Sequence, residues 1–176
     1  SLKNMIKLFE KEKDVGVVGA KLKYLNTNKL QHAGVVFSAN SRGFPFHYRA
    51  NQDDDANSSK NREMQSVTGA VLLTKAKYYK NVCTDNPSNI NGMDERYVWS
   101  FDDISLCLNI KYKQNKRILY CGNTNIYHEE SVSLKKNPAN KLFMNHNLLR
   151  LKQQWHNYIV LDHDFYLSNT NFNLIK

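Results

Sequence analysis

A chain of 176 residues, 41% of them hydrophobic, can bury one real core and is too short for two comfortable domains. Its 25 Lys and Arg against 16 Asp and Glu leave a net charge of +9, which suits anionic partners such as nucleotides, anionic headgroups or nucleic acid without choosing among them. No apolar run approaches the ~20 residues that span a bilayer, the N-terminus lacks a signal-peptide core, and the three cysteines contain no CxxC pair, which argues against both a disulfide framework and a zinc knuckle. A reducing compartment is expected.

Leu2, Met5, Ile6 and Phe9 recur at helical spacing among lysines and glutamates and predict an amphipathic surface helix over Leu2–Lys11, starting without a cap. The β-branched run Val15, Val17, Val18, bounded by glycine, predicts a buried strand. Alternation of Lys21 and Lys23 with Leu22 and Tyr24 leads to a turn at Asn26, Thr27 and Asn28, and residues 30–37 read as the returning strand, with Gly34 marking a bulge or a close backbone approach. Residues 38–62 are polar and aperiodic and read as a long mobile loop, in which Asp53, Asp54 and Asp55 form a solvated charge cluster.

Residues 65–74 predict a core strand interrupted by Gly69, residues 75–82 a short helix carrying Tyr78 and Tyr79, and residues 85–92 a loop. In YVWSFDDISLCL, residues 97–108, Ile104, Cys107 and Leu108 fall at helical spacing behind two adjacent carboxylates, Asp102 and Asp103. Ser100 is placed to cap this helix, with Asp103 reaching back to its amide as in a capping box. The macrodipole favours acids in a first turn whether or not they do chemistry. The alternative is a general base held at a helix N-terminus, beside aromatic walls at Trp99 and Phe101 that suit an apolar or sugar face. Two short strands, 117–121 and 124–127, follow on either side of a Gly122–Asn123 turn, and His128 ends the second. Asn137 and Pro138 open a last helix with Met144, Leu148, Leu151 and Trp155 on its apolar face; residues 158–161 read as a strand, and the chain frays from Ser168.

DVGVVGAKL (14–22), LQHAGVVF (30–37), VTGAVLLT (67–74), MDERYVWSFDDISLCL (93–108) and RILYCGNTNIYHEESVS (117–133) come in an order and spacing that resembles the family 2 glycosyltransferases, inverting enzymes of the GT-A fold. The resemblance runs from about Leu2 to Ser133, and the later helix is similar to the C-terminal helix of such enzymes. It implies an α/β fold, a partial GT-A (nucleotide-diphospho-sugar transferase-like) fold with a mixed sheet flanked by helices. The N-terminal nucleotide-binding half, which in the family ends in a metal-binding DxD motif, is absent from these 176 residues. Residues 1–134 would be the acceptor-side part of the catalytic domain and 135–176 a C-terminal helix and tail.

Residue by residue, the family's ED motif matches Asp102 and Asp103, with aspartate at the usual glutamate position, and assigns the base to Asp103. His128 matches a histidine that in many such enzymes ligates the metal. Thr68 and Gly69 match the segment lining the donor sugar and acceptor, and Trp99 is a candidate sugar-stacking wall. The implied cofactor is a divalent metal, Mn or Mg. The implied partners are a nucleotide-diphosphate sugar donor and a glycan, lipid-linked or protein acceptor, with the protein cytoplasmic, at the inner face of the cell membrane, in peripheral contact with it or free of it. The chain alone is expected to be inactive without the donor half. A competing reading is a non-catalytic basic module that binds nucleic acid, anionic membrane or glycan. The basic residues are scattered and no nucleic-acid motif accompanies them, so nucleic acid is the less favoured partner.

Overall fold

The structure is a computed structural model that describes residues 1–41, 43–82, 92–129 and 140–168, with the side chains of Asn140 and Lys141 outside the description. Several sequence-based expectations fall on the remaining residues: the 85–92 loop apart from Gly92, the Asn137–Pro138 helix start, the end of the YHEES motif, Cys83, and the chain beyond Ser168.

The elements run α1 (Leu2–Lys11), β1 (Val15–Lys23), β2 (Leu30–His32), β3 (Val35–Phe37), β4 (Pro45–His47), β5 (Arg62–Met64), β6 (Leu72–Thr74), α2 (Ala76–Lys80), α3 (Asp102–Tyr112), β7 (Arg117–Tyr127), α4 (Asn140–Trp155) and α5 (His163–Ser168). The fold is α/β, with a mixed sheet in the order β2-β1-β7-β5. β6 also pairs with β1, and β1 with β7 is the parallel pair. A two-stranded β3–β4 ribbon lies apart from it.

All nine residues of β1 are buried, because both faces of the sheet are covered and alternation has nothing to sort. Met5, Leu8 and Phe9 of α1 pack on Val18, Ala20 and Leu22. On the other face Val17 meets Leu106, Cys107 and Ile110 of α3. α4 covers the far side of α3, where Leu151 and Trp155 join Ile104 and Leu108. α3 is therefore buried from Ile104 to Ile110 on every side rather than along one stripe. Met144 and Leu148 of the predicted α4 face are only half-buried. Among the described residues no helix is long and apolar enough to cross a membrane.

Five expectations are corrected. Residues 38–41 and 43–62 are not a mobile loop: they contain β4, and their main chain bonds back to β2, with Leu30 N–H on Gln52 O at 2.8 Å and Asn51 N–H on Leu30 O at 2.8 Å. Nor is the aspartate cluster simply solvated. Asp54 sits between the buried Lys21 and Lys23 at 3.0 and 2.5 Å, and Asp55 takes both terminal nitrogens of Arg49 at 2.6 and 2.8 Å. Burial pushes the Asp54 carboxyl up, but hydrogen bonds from Lys23, Ser58 and Lys21 outweigh it and hold it at about 2.

The two strands predicted around Gly122–Asn123 are one strand, β7. Ala20 pairs with Cys121 and Leu22 with Ile126, so the turn signal is absorbed as a bulge of three extra residues within the strand. Thr124 pins it, its hydroxyl taking the Lys21 N–H at 2.6 Å and donating to Cys121 O at 2.9 Å. Residues 158–161 are not a strand, because their partner is a side chain. The Gln65 amide donates to Val160 O at 2.7 Å and accepts Val160 N–H at 2.8 Å, as a neighbouring strand would. Within the interrupted core strand of residues 65–74, only the end forms β6, and Gly34 makes the close approach its position suggests. With φ at +111°, a Cβ on it would lie 2.3 Å from the Met64 methyl.

Candidate active site

The turn that launches α3 is built from two aromatic residues in the left-handed region, Trp99 at φ +80° and Phe101 at φ +66°. Non-glycine residues pay for that conformation, so something must hold them there. The buried Asn147 of α4 does so: its Nδ2 donates to Val98 O at 2.7 Å, Ser100 O at 3.1 Å and Ser100 Oγ at 3.3 Å. This geometry overturns the predicted capping box. Phe101, not Ser100, is the N-cap, and it makes no side-chain capping bond.

Asp103 is thereby released from capping Ser100 and turned to the loop after β5. Its Oδ2 accepts the Gly69 N–H at 2.6 Å and its Oδ1 the Ile104 N–H at 2.8 Å. A carboxylate oxygen has two lone pairs, so each keeps one for a ligand. Burial pushes the Asp103 carboxyl above the usual carboxylate range and the Asp102 charge adds to this; the Gly69 and Ile104 amides and a charged His47 pull the other way without prevailing. A carboxylate raised in this way is a stronger proton acceptor than a solvated one.

Gly69 is needed at this contact for space, since a Cβ there would stand 2.9 Å from Asp103 Cβ. Thr68 is buried beside it, its N–H directed to His32 Nε2 at 3.4 Å. The first turn of α3 opens on a cavity of about 230 Å³, lined by Asp102, Asp103, Trp99, Phe101, Phe46 and His47, among others. Of the residues singled out from sequence, Asp102, Asp103 and Trp99 share this cavity, and Gly69 meets it through Asp103.

His128, at the end of β7, is not among the cavity-lining residues. Its Nδ1 lies 2.9 Å from Gln31 Oε1, which leaves Nε2 as the ring atom able to bind an ion. Among the described residues no three His, Cys, Asp or Glu side chains converge as a metal set would require, so His128 offers one ligand and the described residues offer no site. Two tracts spell D-x-D, and one is engaged elsewhere through both aspartates, the other through its first. Asp53 and Asp55 pair with Lys29 and Arg49, and Asp162 takes the Phe37 N–H at 2.9 Å and Gln65 Nε2 at 2.5 Å.

Sequence reasoning missed three residues. His47 lies in the polar stretch of residues 38–62, where nothing in the sequence assigns it a role, yet it lines the cavity. Its Nδ1 is 3.0 Å from Gln31 O, and its ring meets His32 edge-on at 4.8 Å. Gln31 bridges His47, through its carbonyl, to His128, through its side chain. Asn147 falls three residues after Met144 and four before Leu151, at the edge of the predicted apolar face, and was passed over there. A mid-helix asparagine is a poor helix former, and that cost was the available signal.

The chain matches no protein-family model, no curated protein and no solved structure.

Proposed function

We propose that the chain is the acceptor-side part of a GT-A-type catalytic domain that transfers a sugar from a nucleotide-diphosphate donor to an acceptor hydroxyl with inversion, Asp103 acting as general base. The observation that supports this most is the placement of Asp103: partly buried, raised above the ordinary carboxylate range, fixed by two main-chain N–H groups, and facing an aromatic-walled cavity with one free lone pair on each oxygen. A residue that only caps a helix has no need of a cavity.

A sugar hydroxyl is a poor nucleophile at neutral pH. On this reading Asp103 accepts the hydroxyl proton while the oxygen forms a bond to the anomeric carbon. The bond from that carbon to the diphosphate breaks on the opposite face, and its electron pair leaves with the nucleoside diphosphate. Asp103, now a neutral acid, returns the proton to solvent. Gly69 and Ile104 hold the carboxylate in line with the hydroxyl, so its orientation is set before the acceptor arrives. His128 would contribute Nε2 to a divalent ion completed by ligands outside the described residues, an ion that takes up negative charge on the diphosphate when bound.

The test compares the full-length protein with its Asp103→Asn variant, measuring donor hydrolysis and transfer over a panel of nucleotide sugars with Mn²⁺ or Mg²⁺. Loss of turnover in the variant, with nucleotide binding retained, is the expected result. Unchanged turnover would return the acidic pair to helix stabilisation. Absence of turnover in the parent, with salt-sensitive binding to anionic vesicles or nucleic acid, would favour the basic-module reading instead.

A further inference from the structure

We propose that the cleft between α1 and the bulge of β7 binds a small phosphate ester, its phosphate held by Lys7, Lys11 and the side-chain amides of Asn61 and Asn123. The cleft lies on the face of the sheet that α1 covers, whereas α3 carries Asp103 on the other, and the proposal does not rest on the transferase reading.

The cleft has a volume of about 490 Å³, within the ~300–1,000 Å³ of pockets that take small organic ligands and larger than the cavity beside Asp103. Both of its walls are tied to the β7 bulge by bonds between residues distant in the chain. From α1, Asn4 Nδ2 donates to Asn123 O at 2.6 Å. From the opposite wall, Asn61 Oδ1 accepts the Gly122 N–H at 3.0 Å. Gly122 allows that wall to come so close: a Cβ on it would lie 2.5 Å from the Ser59 carbonyl carbon and 2.7 Å from Lys60 O, main-chain atoms that cannot swing aside.

These bonds decide what is left for a ligand. With its Oδ1 engaged, Asn61 presents Nδ2, which has no acceptor among the described residues. The Asn123 side chain and the exposed ammonium groups of Lys7 and Lys11 also have no partner among them. The two lysines stand one turn apart on α1, with Cβ atoms about 5–6 Å apart, so both can reach one anion. Glu12 is the one carboxylate among the described residues of the lining, and Arg117 already pairs with it at 3.3 Å. Burial pushes the Cys121 thiol up, so this part of the lining adds no negative charge near neutral pH.

Two unpaired cations and two amide donors suit an anion with more than one charge and several acceptor oxygens. A phosphate monoester carries about −1.5 to −2 charge at pH 7 and three such oxygens. A carboxylate brings one charge and two oxygens. The phosphate does not fill a cleft of this size, and Leu8 and the free Oδ1 of Asn4 offer the remainder an apolar contact and an acceptor for a hydroxyl, which favours an ester over inorganic phosphate. Nucleic acid is disfavoured, because two lysines in one cleft neutralise one phosphate rather than a run of them.

The test is titration of the whole chain, followed by ¹H–¹⁵N NMR of the Gly122 N–H and of the Asn61 and Asn123 side-chain amides. The probes are glycerol 3-phosphate, glucose 6-phosphate, AMP and inorganic phosphate, with acetate and glycerol as controls at matched ionic strength. At least one ester is expected to shift all three signals in a saturable manner and to bind more tightly than inorganic phosphate; which ester binds best separates a nucleotide from a sugar or polyol source. Lys7→Gln and Lys11→Gln should each weaken that binding about tenfold, the loss of one charge-assisted bond, and both change exposed side chains. Asn61→Asp keeps an acceptor for the Gly122 N–H but puts an oxygen where Nδ2 was, and should weaken binding at least as much. The double variant Lys77→Gln with Lys80→Gln on α2, outside the cleft lining, removes the charge of two lysines and should leave binding unchanged. No saturable shift with any ester, inorganic phosphate binding as tightly as every ester, or equal weakening in the α2 variant would overturn the inference. So would an oligonucleotide or an anionic vesicle that shifts these signals when no ester does.

Discussion

Replacing Gly69 with alanine is the most informative small change to this site. The backbone there has ordinary φ, so the effect is steric alone. The new methyl would lie 2.9 Å from Asp103 Cβ, whereas ordinary contact begins at 3.4 Å, so the two must separate by about 0.5 Å. Asp103 Cβ cannot yield easily, because the helix behind it is buried from Ile104 to Ile110. Overpacking of this kind costs ~1–3 kcal/mol, a fall in Tm of roughly 2–12 °C for a chain of this size. The 2.6 Å bond from the Gly69 N–H lengthens as the groups part, so it holds the carboxylate less well and the Asp103 pKa rises further. Since a misplacement of about 1 Å can cost ~100-fold in rate, turnover should fall about ten- to a hundredfold. Urea denaturation measures the first effect, carboxyl ¹³C titration the second, and transfer kinetics the third. A double-mutant cycle isolates the cause: in an Asp103→Gly background the clashing Cβ is gone, and the penalty at residue 69 should disappear. A penalty that persists there, or an alanine variant with wild-type stability and Asp103 pKa, would refute the claim that Gly69 is required for the approach of Asp103.

Asn147→Ala should cost ~1–3 kcal/mol by leaving the Val98 and Ser100 carbonyls short of a donor, and should shift the Trp99 indole resonance as the turn relaxes; urea curves and NMR check both. Asp54→Ala leaves Lys21 and Lys23 facing each other around an empty place and should cost ~3–5 kcal/mol by thermal unfolding. With Asp54 held at about 2 in the fold, its contribution is complete above the ordinary aspartate pKa of 3.8 and is lost as pH falls through about 2, so acid unfolding should shift to higher pH in Asp54→Asn. Asp103 behaves oppositely. Its folded pKa lies above its unfolded one, so its protonated form stabilises the fold at low pH and that stability is lost as pH rises through the folded pKa. Turnover should follow the reverse course, its acid limb lying above the ordinary carboxylate range; an acid limb within that range would remove Asp103 from the base role.

α1 and the first strand were legible, the helix from the spacing of its apolar residues and the strand from its run of β-branched residues, whereas α5 had no such signal and was not anticipated. α1 keeps Met5, Leu8 and Phe9 inside, as its spacing predicts, and β1 extends the valine run through Lys23. What could not be read were bonds between residues distant in the chain. Nothing local tells Asp54 that two lysines of β1 will bury beside it, so an acidic tract in a serine- and asparagine-rich stretch reads as solvated. Nothing local tells residues 158–161 that their strand partner is the amide of Gln65. The same limit applied at the site. Asp102 and Asp103 stood out by their place before an apolar run, but the capping rule assigned Asp103 to the wrong amide, because the rule assumes a chain entering the helix from the β region. Here it enters from the left-handed region, which no rule predicts for tryptophan and phenylalanine.

That failure carries the functional argument forward. Two aromatic residues at positive φ, a carboxylate raised by burial beside a second carboxylate, and a glycine with no room for a methyl group each oppose stability, and all three meet at one cavity. A sequence selected for folding alone would cap α3 with Ser100 and leave Asp103 in water. Local rules break together where a site is being held in a geometry that the fold does not need. Relieving the strain should therefore separate the two demands. Substituting glycine at Phe101, where φ is +66°, removes the penalty on the left-handed N-cap and one wall of the cavity at once. Chain stability should fall by less than the ~3–5 kcal/mol that truncating a fully buried phenylalanine costs, because Phe101 is only half-buried and the relieved backbone offsets part of the loss. Turnover of the full-length protein should fall at the same time. A full loss of stability with turnover retained would show that the turn serves the core, and the aromatic pair would have no claim on the site.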